Sequence, residues 1–154
     1  MIYAKLGVNA LKKILNRTNI LLINENELKI LFEEYYSKFD ALSENETLSF
    51  RDLAIHILDD GIDTVVVKRG INGVYAINHE SEVKIPAFKV DAVDTTCAGD
   101  SFNAGFLYSY IKEYSLEKSC TIGNWVASKS VESIGISSLP NLEELNAFIN
   151  DLDC

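Results

Sequence analysis

Positive charge is in short supply in this sequence: 14 Lys and Arg stand against 23 Asp and Glu, a formal net charge of −9. A nucleic-acid binder needs clustered cations to neutralise phosphates, so that class is argued against. A nucleotide ligand is not, because backbone N–H groups and a metal ion can balance its charge. Cysteine is also scarce, with 3 residues. Cys97, Cys120 and Cys154 are odd in number and lack a Cys-x-x-Cys spacing, which suggests neither a disulfide framework nor a zinc site. A reduced, cytoplasmic setting is the expectation. No apolar run approaches the about 20 residues that cross a bilayer. The opening Met-Ile-Tyr-Ala-Lys-Leu-Gly lacks a basic region followed by a long apolar core, so it does not read as a signal peptide. No internal repeat, low-complexity tract or linker divides the chain, and 154 residues fit one domain.

What is present is a soluble pattern with material for a core: 47% hydrophobic and 24% charged residues. Val8 to Asn16 reads as a short amphipathic helix, with Leu11, Ile14 and Leu15 on one face. The brief apolar runs Asn19 to Ile23 and Thr64 to Val67 read as strands buried on both faces. Asn24 sits where a helix N-cap would, with Glu27 three residues on, and that helix runs to about Tyr36. Phe39 to Thr47 reads as a loop. Ser49 to Asp60 reads as another helix, closed by Gly61. After Gly70 and Gly73, Val74 to Ile77 and Glu82 to Ile85 read as antiparallel strands joined near Asn78 and His79. Helices follow over Ala98 to Tyr114, Leu116 to Ser133 and Leu142 to Leu152, with Gly135 and Pro140 as breaks. Helices alternating with buried strands predict an α/β class, mostly parallel with an antiparallel extension.

The chemistry concentrates in Cys97-Ala98-Gly99-Asp100. Small residues leave backbone N–H groups open to a ligand, and a helix begins there, so its dipole adds partial positive charge. Such a turn suits the charge that builds on a transferring phosphoryl group. Asp100, in the same turn, can accept a proton from an attacking hydroxyl. Spacing alone is equally served by simple helix capping. The P-loop and Gly-x-Gly-x-x-Gly fingerprints are both absent.

The run Asp94-Thr95-Thr96-Cys97-Ala98-Gly99-Asp100-Ser101-Phe102-Asn103-Ala104-Gly105-Phe106 closely resembles the C-terminal signature of the ribokinase-like (PfkB) carbohydrate kinases. That signature reads Asp-Thr-Thr-Gly-Ala-Gly-Asp-x-Phe. The departure is Cys97 for glycine, and if the position needs a positive φ, cysteine pays roughly 1 kcal/mol or more in strain. A thiol there would also offer a site for oxidation, though an inert thiol is the default expectation.

The resemblance implies a ribokinase-like three-layer sandwich, of which this chain is the C-terminal half, without the N-terminal sugar-binding and lid half. It implies an ATP-dependent kinase that phosphorylates a sugar hydroxyl, with Asp100 as base and Cys97, Ala98, Gly99 and Asp100 as the anion hole. It assigns ATP contacts to Asn24, Lys68, Gly70, Gly73, Gly99 and Asn124. Asn24 and Glu27 match the family's Asn-x-x-Glu motif, with Glu27 holding Mg2+ through water. Asp94, Thr96, Ser130, Ser133 and Gly135 match positions that hold a monovalent cation, often K+, in several members. His56, His79 and Trp125 read as surface or packing residues. Two alternatives stay open: a nucleoside kinase, and a non-catalytic nucleotide-binding or oligomerising fragment. A half enzyme would leave one sheet edge and an apolar face uncovered, which predicts self-association or poor solubility.

Overall fold

The two apolar runs form neighbouring parallel strands. In the computed structural model, which describes residues 13–35 and 49–153, they are β1 (Ile20–Asn24) and β2 (Thr64–Lys68), in register from Ile20↔Thr64 to Asn24↔Lys68. A parallel pair requires a long crossover, and it carries helices α1 (Glu25–Tyr35) and α2 (Phe50–Asp59). Strands β3 (Val74–Asn78) and β4 (Glu82–Ile85) complete a sheet of order β1-β2-β3-β4. Their short connections permit only antiparallel joins, so the sheet is mixed. Beyond it lie α3 (Ala98–Ile111), α4 (Leu116–Ser130) and α5 (Leu142–Asp151).

The chain divides into two compact units. One comprises Met1–Arg69 with Tyr75–Glu82, the other Gly70–Val74 with Val83–Cys154.

In the first unit, strand alternation separates Val65 and Val67 from Thr64 and Val66. Val65 and Val67 join Leu28 and Leu31 of α1 and Leu53, Ala54 and Ile57 of α2 in one buried cluster. Thr64 and Val66 are buried too, so β2 is covered on both faces as its unbroken apolar run predicts. Ser49 is the N-cap of α2 rather than its first residue, and closes a capping box with Asp52. Arg51 forks onto Glu82, Nε to Oε1 at 2.7 Å and Nη2 to Oε2 at 2.8 Å, fixing α2 to the start of β4. Residues 13–15 are helical, with Leu15 buried and Ile14 exposed. Ile14 therefore does not share the inward face expected of it: adjacent helical residues point about 100° apart. The rest of that helix and the loop read at Phe39 to Thr47 lie outside the described residues.

The second unit is organised by α3 and α4. Each helix offers a glycine to the other's side chain. A Cβ on Gly105 would stand 2.8 Å from Val126 Cγ2, and one on Gly123 would stand 2.9 Å from the Phe102 ring. Phe102, Phe106 and Tyr110 then stack at successive turns, 6.1 and 5.6 Å between centroids. Helix α3 stops at Ile111, short of the Tyr114 expected. Glu113 takes φ 59 there. Tyr114 N–H donates to Ser109 O at 3.3 Å and Glu113 N–H to Tyr110 O at 3.0 Å. This is a Schellman end with glutamate where glycine is usual. Helix α4 stops at Ser130, short of Ser133. The hydroxyls of Ser128 and Ser130 turn back onto the carbonyls of Trp125 and Ala127, at 2.7 and 2.8 Å. Helix α5 opens on an Asn141–Glu144 capping box, and Trp125 stacks on its Phe148 at 4.4 Å.

The glycine contacts yield a direct test. Gly123→Val forces branched carbons into the Phe102 ring, with only a few tenths of a kcal/mol of helix propensity to offset them. It is expected to destabilise the chain by about 3 kcal/mol, read as a drop in Tm of roughly 6–12 °C. An unchanged Tm would contradict the packing described.

Candidate active site

The Asp94–Asp100 segment is built by one side chain and one backbone angle. Asp94 Oδ1 accepts the Thr96 N–H at 2.9 Å, and Oδ2 accepts the Gly135 N–H at 3.5 Å. The Val93 and Asp94 N–H groups both donate to Val131 O, at 2.7 and 3.3 Å. The segment is thus tied to the turn that follows α4. The Thr96 hydroxyl, and then the Thr96 and Gly135 backbone N–H groups, hold the Asp94 carboxyl below its ordinary value.

Cys97 then takes φ 63, ψ 2, the left-handed region. The position is a glycine position occupied by cysteine, so the conditional strain raised from the sequence applies. The turn throws the chain into α3, whose ladder begins with Ser101 N–H to Cys97 O at 2.9 Å. No side chain caps this helix at Cys97. Its first-turn N–H groups precede the ladder and carry the positive end of the dipole, with Ala98 N–H donating to Thr95 O at 3.3 Å. Cys97, Gly99 and Asp100 are exposed. A cavity of about 570 Å³ opens beside Cys97 and Asp100 and continues along α3 past Ala104 and Tyr108 to Leu139 and Leu142. Its volume falls in the range of ligand pockets, roughly 300–1,000 Å³.

Of the residues matched to a monovalent-cation site, Asp94, Thr96 and Gly135 are brought together directly. Ser130 is buried with its hydroxyl on Ala127 O. Ser133 Oγ lies 2.8 Å from both Ser137 Oγ and Ser138 Oγ. Val131, whose carbonyl takes two N–H groups, was not visible to motif reasoning, because any residue supplies that oxygen.

In the other unit, the register sets Asn24 opposite Lys68, both at the carboxyl ends of parallel strands, where α/β sheets bind ligands. Asn24 Oδ1 accepts the Glu27 N–H at 2.8 Å and Glu27 Oε2 accepts the Asn24 N–H at 3.0 Å. The pair is a reciprocal cap, and a carboxylate retains acceptor capacity beyond that one bond. Among the described residues no group of three or more His, Cys, Asp or Glu could enclose a metal. A Mg2+ at Glu27 would therefore draw its remaining ligands from water and phosphate. Arg69 stays with this unit, its guanidinium 4.0 Å above the Phe50 ring and Nε 3.4 Å from Glu25 Oε2. His56 lies 6.0 Å from the Phe32 ring and His79 is exposed, as packing and surface readings expect.

Gly70 and Gly73 bracket a 3₁₀ turn, Gly70–Asn72, with φ 55 and 81. Gly73 has no room for a side chain: a Cβ would lie 2.0 Å from Ile85 O. Asn124 is 7% exposed, and its side-chain NH2 donates to Ile85 O at 3.3 Å and Pro86 O at 3.1 Å.

The profile of the pfkB family carbohydrate kinases matches residues 1–143. The chain belongs to that family. It is 38% identical over 135 residues to an uncharacterised sugar kinase of Archaeoglobus fulgidus, covering 88% of this chain and 48% of the relative. Among solved structures it resembles a ribokinase of Thermotoga maritima, with 34% identity and a TM-score of 0.73 over 86% of this chain and 42% of that one. It also resembles an aminoimidazole riboside kinase of Salmonella enterica, solved with aminoimidazole riboside and an ATP analogue. That match has 27% identity and a TM-score of 0.66 over 85% and 42% of the two chains. The fold is that of the ribokinases. The chain spans about half the length of the curated relatives it matches. No helix among the described residues is long and apolar enough to cross a membrane.

Two measurements probe the turn. Cys97→Gly relieves about 1–2 kcal/mol of left-handed strain and returns about 0.4–1 kcal/mol of unfolded-chain freedom. It should raise stability by up to about 1 kcal/mol in denaturant melts, whereas Cys97→Ala should bring no such gain. Equal stabilities of the two variants would contradict the strain. Asp94 has its carboxyl lowered in the folded state. Its contribution is therefore present above pH 3.8, the ordinary value, and is lost as pH falls through the lower folded value. The Tm difference between wild type and Asp94→Asn should be largest near neutrality and shrink below pH 3.8. A difference that does not vary with pH would contradict the brace.

Proposed function

We propose that this chain is the ATP-binding and catalytic half of an ATP-dependent kinase that phosphorylates a sugar hydroxyl. The single observation that carries the reading is the left-handed turn at Cys97. It sets the Asp100 carboxylate and the N-terminal N–H groups of α3 side by side, within a family match that covers residues 1–143. Asp100 takes the proton of the acceptor hydroxyl as that oxygen forms its bond to the γ-phosphorus. The bond from the γ-phosphorus to the bridging oxygen breaks, and ADP leaves. The N–H groups from Cys97 to Asp100 stabilise the charge on the transferring group. Lys68, Gly70, Gly73, Gly99, Asn24 and Asn124 are the residues assigned to ATP. Glu27 would hold Mg2+ through water, and the ion would supply neutralisation of phosphate charge. Asp94, Thr96, Ser130, Ser133 and Gly135 are assigned to a monovalent cation such as K+. The setting is cytoplasmic. The acceptor contacts of a complete enzyme would also draw on the half that the relatives carry and this chain does not match.

A nucleoside acceptor is the second reading, supported by the likeness to the aminoimidazole riboside kinase, whose structure holds a riboside. A nucleotide-binding fragment without turnover is a third.

Asp100→Ala, made in the complete protein, should lower turnover by at least about a hundredfold, the range a general base supplies, while Mg-ATP affinity stays within about threefold. ADP release against a panel of sugars and ribosides, with titration calorimetry of Mg-ATP, measures both. Retained turnover would remove Asp100 as the base. Binding without turnover on any acceptor in the wild type would favour the fragment.

A further inference from the structure

One buried side chain in the second unit has a task that the functional reading does not use. Asn124 lies on the inner face of α4 with its amide pointed at two carbonyls, Ile85 O and Pro86 O. Both partners accept only, so the NH2 end must face them, and both of its N–H bonds are committed. Ile85 O is also the atom that a Cβ on Gly73 would strike at 2.0 Å, with Pro86 C and Ala87 N at 2.7 Å. Gly73 is therefore seated backbone against backbone on the segment that Asn124 holds. Gly73 N–H in turn closes the 3₁₀ turn onto Gly70 O at 2.9 Å. From α4 to Gly70 the links are contiguous: amide to Ile85 and Pro86, Ile85 to Gly73, Gly73 to Gly70.

We infer that Asn124 is a positioning residue: it fixes the exit of β4 and, through it, the glycine turn Gly70–Gly73. Its consequence for ATP rests on the proposed function. If Asn124 served ATP only by touching its adenine base, it would matter for the base alone. A positioning role makes it matter for whatever the turn touches, phosphates included.

Asn124→Asp is isosteric, removes the donors and points a carboxylate at two carbonyl oxygens. Asn124→Ser is the milder variant, and is read in the same way should the aspartate chain fail to fold. Hydrogen exchange on the ligand-free chain should show faster exchange, by about tenfold, at the amides of Gly70–Val74 and at Ile85 and Ala87 together. The amides of α5 should be unchanged. A merely structural loss would raise exchange in α5 as well, and that result, or no change at Gly70–Val74, would overturn the inference. Titration with Mg-ATP and with Mg-tripolyphosphate should weaken alike, by about tenfold. Weakening of ATP alone would assign Asn124 to the base and overturn the positioning role. If wild type binds neither probe while the exchange pattern appears, the positioning role stands and the ATP reading fails.

Discussion

The site depends on a single backbone constraint: the chain must turn left-handed at Cys97 to start α3 where it does. With Cys97 as N-cap, Asp100 falls in the first turn of α3, beside the helix N-terminus. A residue with a Cβ resists this angle by about 1–2 kcal/mol, so the surroundings must over-determine it. They do so from both sides. Upstream, Asp94 accepts from Thr96 and Gly135. Downstream, α3 packs closely on α4 at Gly105 and Gly123, where a side chain would strike Val126 and Phe102.

The same logic recurs elsewhere in this second unit with different chemistry. Where backbone must approach backbone, at Gly73 and Ile85, glycine supplies the space and a buried amide supplies the hold. Where helix meets helix, glycine accepts Val126 and Phe102. Polar ties handle the loops: Val131 O gathers two N–H groups, and Ser138 Oγ reaches Lys129 O at 2.5 Å. The result is a helix start held by its neighbours rather than by a side-chain cap.

The sequence was legible where one physical signal dominates. The four strand positions followed from β-branched runs and alternation, and their observed limits differ by at most one residue. The α/β class followed from helices alternating with buried strands, and the family from the signature around Asp100. Legibility failed where two signals compete. Helix α4 ends at Ser130, with serine hydroxyls bonded back to carbonyls of its last turns, contacts that apolar periodicity does not encode. Helix α3 ends at a glutamate in a glycine conformation. Asn24 and Glu27 form the reciprocal cap that the capping reading described, so the motif has a structural use whatever its ligand role. Cys97 posed a conditional question about φ that needed coordinates to answer. Asn124 is one polar letter in a helix, and its two carbonyl partners lie 38 and 39 residues away along the chain.

Whether the turn from Cys97 to Asp100 receives phosphate charge is read most directly by nitrogen-15 amide NMR of this chain titrated with Mg-ATP. Saturable shifts are expected at the Ala98, Gly99 and Asp100 amides, with α5 unmoved. A folded chain in which those three amides stay fixed throughout the titration would contradict it.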